Sequence, residues 1–316
     1  MSLADHVRTL GRGSGRARSL TREEARDAMV CMISDEAAPE AVGALLMLLR
    51  MKGETAEEIC GFSEAVQASL PDIGAVDLDW PSYAAGRTRG LPWFLASAQL
   101  VAQAGKRVLL HGWNGTDPKV RIGLGEIGIG VAETTEDAQH LLDRHRIAYL
   151  PLEILSPQLM RLLRLREVLG LRSIMNTVCR MLNPGQANAS VQGVFHPSYR
   201  LLQADAAQLL GWRNLSVIKG GGGEFERNPT KDTAVFGLRH GRAWTATLPS
   251  ASKEARRMRT LGQVSMTDLL SGTRTSEFET KTVVGTSALA LATLGVADSA
   301  RAAAELWEDR TIPRAA

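Results

Sequence analysis

The sequence is poor in cysteine and lysine, and it has no long apolar run. Its three cysteines, Cys31, Cys60 and Cys179, are odd in number, far apart and without zinc-ligand spacing. Buried, reduced thiols are therefore expected, as in a cytoplasmic protein. The six histidines are scattered, and His140 and His145, five apart, fall on different sides of a helix and cannot share a metal there. No apolar stretch reaches the roughly 18 residues of a membrane helix. Met1 to His6 carries no apolar signal-peptide core. Neither a membrane span nor secretion is expected, and the localisation implied is cytoplasmic.

Lysine is outnumbered by arginine, 7 to 30. Arginine's planar fork matches phosphate and stacks on bases, although a GC-rich coding sequence favours it equally. The net charge is only +3, which by itself defines no nucleic-acid binder.

With 316 residues, 44% of them apolar, the chain can bury a sizeable core in one large domain or two modest ones. The first 70 residues read as helices. Thr21 with Glu24, and Thr55 with Glu58, are capping-box starts. Between them a helix runs from Pro39 to just before Gly53, apolar almost all round, hence buried in a core or at a subunit interface. Beyond residue 90 the pattern alternates. Helices are expected at 91–105, from Ser156-Pro157, and at 197–210, 286–296 and 299–307. Strands are expected at 107–112, 147–152, 190–196, 214–219, 233–238 and 242–248. Such alternation implies an α/β fold with a mostly parallel central sheet covered by helices, and a ligand at the strands' carboxyl ends.

Several blocks resemble anthranilate phosphoribosyltransferase and the related pyrimidine nucleoside phosphorylases, glycosyl transferase family 3. They are Leu20-Thr21-Arg22-Glu23-Glu24-Ala25, Gly43-Ala44-Leu45-Leu46-Met47, Arg50-Met51-Lys52-Gly53-Glu54-Thr55, the run from Leu169-Gly170 to Leu182-Asn183-Pro184, and Gly193-Val194-Phe195. The resemblance implies a small N-terminal helical domain, residues 1–75, packed on a larger α/β domain, residues 76–316. Helices near 157–183 are candidates to join the first. It also implies a homodimer formed through the helical domain, and an active cleft between the domains. In active members that cleft transfers ribose phosphate with magnesium.

The family's phosphate and metal motifs are altered here. A Gly-rich loop lets backbone N–H groups approach diphosphate closely. At the equivalent place, residues 80–90 run Trp80-Pro81-Ser82-Tyr83-Ala84-Ala85-Gly86-Arg87-Thr88-Arg89-Gly90. The Asn-x-Ser-Thr segment is replaced by Leu91-Pro92-Trp93-Phe94. Of the Lys-His-Gly-Asn-Arg segment only His111 and Gly112 remain. The magnesium-binding Asp-Glu pair becomes Gly223-Glu224, with Glu226 nearby. Arg166 matches the arginine that contacts the anthranilate carboxylate. Catalysis of this kind depends on preorganised contacts to developing charge. The usual anthranilate reaction is not expected, and magnesium only if some transferase activity persists.

Two functions stay open. A subgroup of the family lacks these motifs and binds nucleic acid without sequence preference. The run Pro81-Ser82-Tyr83 followed by Gly86-Arg87, and the early Gly11-Arg12-Gly13, resemble it. Under that reading Arg87 and Arg89 neutralise phosphates, and Trp80, Tyr83 and Trp113 offer faces for base stacking. Lys119, Arg121, Arg164, Arg166, Arg172 and Lys219 extend the basic surface. A plainer reading has Trp80 and Tyr83 pack the loop against the helices, and Gly220 to Gly223 form a simple turn. The alternative function is a transferase on another acceptor, resting on Arg166, His111 and Glu224.

Overall fold

The computed structural model describes residues 2–13, 15–34, 37–83, 90–115, 117–253 and 264–310. Four helices open the chain: α1 (Leu3–Gly11), α2 (Arg22–Ile33), α3 (Pro39–Lys52) and α4 (Ala56–Gln67). Both expected capping boxes are formed. Thr21 and Thr55 each accept the amide three residues on, and Glu24 and Glu58 reach back to the threonine N–H. The apolar helix from Pro39 is α3. Its Val42, Leu45, Leu46 and Leu49 are buried, while Ala44 and Met51 face outward. α1 is amphipathic, laying Leu3, His6 and Leu10 inward, and packs on α3.

The rest of the chain alternates around one seven-stranded sheet. In chain order the elements are β1 (Leu78–Ser82), α5 (Phe94–Gln103), β2 (Val108–Gly112), α6 (Lys119–Glu126), α7 (Thr135–His145), β3 (Ile147–Pro151), α8 (Leu152–Leu155), α9 (Pro157–Leu169) and α10 (Met175–Val178). There follow β4 (Ala189–Val194), α11 (Tyr199–Leu209), β5 (Asn214–Lys219), β6 (Thr233–Arg239), β7 (Arg242–Leu248), α12 (Met266–Ser271), α13 (Glu277–Thr293) and α14 (Ser299–Glu308). The strand order is β3-β2-β1-β4-β5-β6-β7, parallel through β5 and antiparallel for the last two. Side chains alternate across the sheet. Leu109 joins the core shared with the helical bundle, and Val108 and Leu110 join the core beneath α5 and α13. α9 and α10 pack back on α2 and α4.

The sequence placed a loop at residues 80–90, but Leu78–Ser82 is an interior strand of the sheet, buried along its length. The Leu78 amide donates to the Arg107 carbonyl beside β2. Alternation then turns the Pro81 nitrogen towards β4, whose pairing with β1 ends at Asp79. Proline is tolerated there because no ladder bond is asked of it. The helix expected at 286–296 is α13, beginning at Glu277. Its polar first turns, with Glu277, Glu279 and Lys281, obscure the start.

Candidate functional site

The strand order reverses at β1, with β2 on one side and β4 on the other. Open α/β sheets bind ligands at the carboxyl ends of strands beside such a point. Here two buried polar chains brace those ends. In the first, Tyr149 donates to Asn114 Oδ1 at 2.8 Å and Asn114 Nδ2 to Ser82 Oγ at 3.0 Å. Ser82 Oγ in turn donates to Glu224 Oε1 at 3.0 Å. In the second, the Tyr83 hydroxyl meets His111 Nδ1 at 2.9 Å and His111 Nε2 meets Asp79 Oδ1 at 3.0 Å. Ser190 Oγ donates to the other Asp79 oxygen at 2.6 Å. Burial raises the pKa of both phenols, so they remain protonated donors. His111 then accepts at Nδ1 and donates from Nε2 to the carboxylate, an assignment that follows from its partners.

Glycine makes this bracing possible. A Cβ on Gly193 would lie 2.0 Å from the Glu224 carbonyl carbon, and one on Gly220 would lie 1.5 Å from its oxygen. The chain after β5 therefore folds tightly against β4 and thrusts Glu224 inward. Glu226 accepts the Phe94 amide at 3.0 Å, satisfying an orphan donor at the start of α5.

These contacts correct several expectations. Trp80 is fully buried, edge-on to Phe225 at 5.4 Å and stacked on Phe94 at 6.5 Å. Tyr83 and His111 are equally enclosed. None of the three offers a face to a base, because β1 and β2 are interior strands and all three side chains are buried. Glu224 and Glu226 are buried and bonded to Ser82 and Phe94. Among the described residues no three His, Cys, Asp or Glu side chains converge. These residues do not fit a hydrated magnesium ion, which needs accessible carboxylates. Arg87 and Arg89 lie outside the described residues.

The other expected residues are spread over the surface. Arg166 sits over the half-buried Trp113 ring at 5.8 Å. Arg121 pairs with Glu153 at 2.8 Å and covers Tyr149, which leaves it little charge to offer. Arg164 is exposed, 3.6 Å from Glu167 on the same helix. Lys119 is half-buried at the start of α6.

Of the expected residues, Arg172 and Lys219 enter a cavity. Arg172 lines a cleft of about 190 Å³ at the end of β4, with Arg50, Arg180, Phe195, His196 and Tyr199. Lys219 lines a second, of about 590 Å³, at the end of β5, with Arg200, Lys231, Asn228, Asp232 and the glycines 220–222. Phe195, 56% exposed, lines both. Six Arg and Lys side chains thus surround one exposed aromatic, and among the described residues Asp232 is the one acid in the two linings. Sequence reasoning missed Arg50, Arg180, Phe195, Arg200 and Lys231. Arg180, the lone charged residue between Ile174 and Leu182, was the available signal. A larger cavity of about 880 Å³ opens at the opposite, amino ends of β4 and β5, and its lining carries one arginine, Arg213.

A small helical bundle on a helix-covered, mostly parallel sheet, with its clefts at the strands' carboxyl ends, defines a bundle-plus-α/β architecture. Residues 4–70 match the helical bundle domain, and residues 95–310 the a/b domain, of a glycosyl transferase family, and the chain belongs to that family. It is 30% identical over 209 residues to anthranilate phosphoribosyltransferase of Oceanobacillus iheyensis, covering 65% of this chain and 62% of that protein. The Caldivirga maquilingensis enzyme of the same name is 30% identical over 210 residues, again covering 65% of this chain and 62% of that protein. The chain thus spans 62% of the length of these relatives. Among solved structures, anthranilate phosphoribosyltransferase from Thermus thermophilus superposes with a TM-score of 0.78 at 21% identity, covering 96% of this chain and 94% of that one. The Saccharomyces cerevisiae enzyme in complex with PRPP and Mg gives 0.77 at 17%, covering 98% and 93%. At those identities the likeness is one of fold. Among the described residues no helix is long and apolar enough to cross a membrane.

Proposed function

We propose that this protein is a paralogue of the phosphoribosyltransferases that has lost the diphosphate and magnesium motifs and binds nucleic acid without sequence preference. The observation that carries the reading is the pair of cationic clefts meeting at Phe195. Lysines and arginines supply sequence-independent phosphate contacts. An exposed ring between them offers a stacking face to any base. The modest net charge of +3 is compatible with this because, among the described residues, six cations and one acid line the two clefts. Arg87 and Arg89 are further cations that this reading draws on. We propose further that the protein is a homodimer joined through the helical domain, where Met51 is exposed by 81%, with Val168 of α9, a helix packed on α2, exposed by 82%. Two such surfaces on one particle would add avidity. Binding of a random-sequence oligonucleotide, with sedimentation to count subunits, tests both statements.

The second reading, a transferase acting on another acceptor, draws on the similarity to enzymes named anthranilate phosphoribosyltransferase. Calorimetry with phosphoribosyl diphosphate and magnesium tests it. Heat of binding at millimolar ligand supports it, and its absence removes it.

A further inference from the structure

The cleft at the end of β4 holds groups that a strand passing over the surface does not use. Asn176 lines it and is 8% exposed, and both its Oδ1 and Nδ2 lack a hydrogen-bond partner. Gln203, 1% exposed, lines the same cavity with its Oε1 also unpartnered. Buried polar groups left unmade are costly, and native proteins keep few of them without a ligand or water to meet them.

Three guanidinium groups stand around these amides. Arg180 spends Nε on the Gly193 carbonyl at 3.0 Å and Nη1 on the Asn176 carbonyl at 2.5 Å, two of its five donors. Arg172 is held below its ordinary pKa by burial, and then by the nearby charges of Arg166, Arg180 and Arg50. Among the described residues no Asp or Glu lines the cavity, while Ser173 and Thr177 add hydroxyls. Two acids stand outside it. Glu54 is bonded to the Tyr199 hydroxyl at 2.9 Å, and Glu224, which is not in the lining, acts on Arg180 through its charge. The volume of about 190 Å³ equals roughly six waters at ~30 Å³ each. That admits a phosphate and the first atoms of its ester, and it excludes a duplex.

A carboxylate fills one arginine fork. Cations and amides converging from several sides suit an anion with three terminal oxygens and two charges instead. We propose that this cavity is a phosphomonoester site, with Arg50, Arg172, Arg180 and the Asn176 amide donating to the terminal phosphate. The site stands independently of strand binding. The ester belongs either to a small sugar phosphate or to the phosphorylated end of a nucleic acid.

Calorimetry on the full chain with inorganic phosphate and with ribose 5-phosphate tests it. Saturable binding is expected. It should weaken at least about tenfold in Asn176→Asp, which keeps the shape and adds a like charge, and in Arg172→Gln. Circular dichroism checks that both variants fold. Absence of binding up to about 10 mM, or equal binding by wild type and both variants, overturns the site. So does anthranilate binding that phosphate cannot displace. Matched oligonucleotides with a 5′-phosphate or a 5′-hydroxyl identify the source. A preference for the phosphate assigns the strand end. Equal affinities, with ribose 5-phosphate still bound, assign a small ester. Phosphate binding without any oligonucleotide binding sustains this site and removes the nucleic-acid reading.

Discussion

Ser82 Oγ donates to Glu224 Oε1 at 3.0 Å, joining the end of the first strand to a glutamate 142 residues further on. The serine belongs to β1, the strand beside the switch point, and the glutamate to the turn after β5. A carboxylate in this region can hold a metal or hold the scaffold. The buried bond to Ser82, continued through Asn114 and Tyr149, assigns Glu224 to the scaffold.

Glu224→Ala should therefore destabilise the protein by about 1–3 kcal/mol, because Ser82 Oγ loses its buried acceptor. Urea denaturation measures this. Magnesium should leave the wild-type melting temperature unchanged, and a rise that disappears in Glu224→Ala would return the glutamate to a metal site.

Two aromatic truncations should part cleanly. Trp80→Ala empties a fully buried position and should cost about 3–5 kcal/mol of stability. Phe195→Ala changes an exposed side chain and should shift stability by no more than about 0.5 kcal/mol. It should nevertheless weaken oligonucleotide binding by about 1–3 kcal/mol. Thermal melts beside a binding titration of each variant separate the two roles.

Acid should weaken the helical bundle through Glu24. Hydrogen bonds from Arg18 and the Thr21 amide hold its pKa down to about 2, from an ordinary 4.5. The unfolded chain binds this proton more readily. The stabilisation is complete above about 4.5 and is lost as pH falls towards 2. The stability difference between wild type and Glu24→Gln should shrink over that window, and a difference independent of pH would show that the pair contributes nothing.

The cysteines should react with a thiol reagent in two classes. Cys31 is half-buried, whereas Cys60 and Cys179 are enclosed. Burial and the Glu64 charge push the Cys60 thiol up to about 12, and burial raises Cys179 as well. One thiol should label in the native state and three after unfolding, counted by mass spectrometry.

The fold was legible wherever its signal is local. Capping boxes fixed the starts of α2 and α4, and alternation placed β5 at 214–219 and β7 at 242–248. β1 was hidden because Asp79, Pro81 and Ser82 imitate a turn, and only its neighbours explain why they are tolerated. The clefts were less visible. Arg50, Asn176, Arg180 and Phe195 come from α3, α10, the turn after it and the end of β4, and only the folded chain brings them together. Arg172 and Lys219 were anticipated from the sequence and line those clefts, while Trp80 and Tyr83 were drawn into the core.

In the proposed function an extended polyanion meets the clefts around Phe195. Fluorescence anisotropy of a random-sequence oligonucleotide, titrated with the protein at rising salt, tests it most directly. The logarithm of the affinity should fall linearly with the logarithm of salt, by about 0.7 per single-strand phosphate contacted. Lys219→Ala and Lys231→Ala should each reduce that slope by roughly one contact without altering sequence preference. No binding at about 50 mM salt, or an affinity indifferent to salt, would contradict the account.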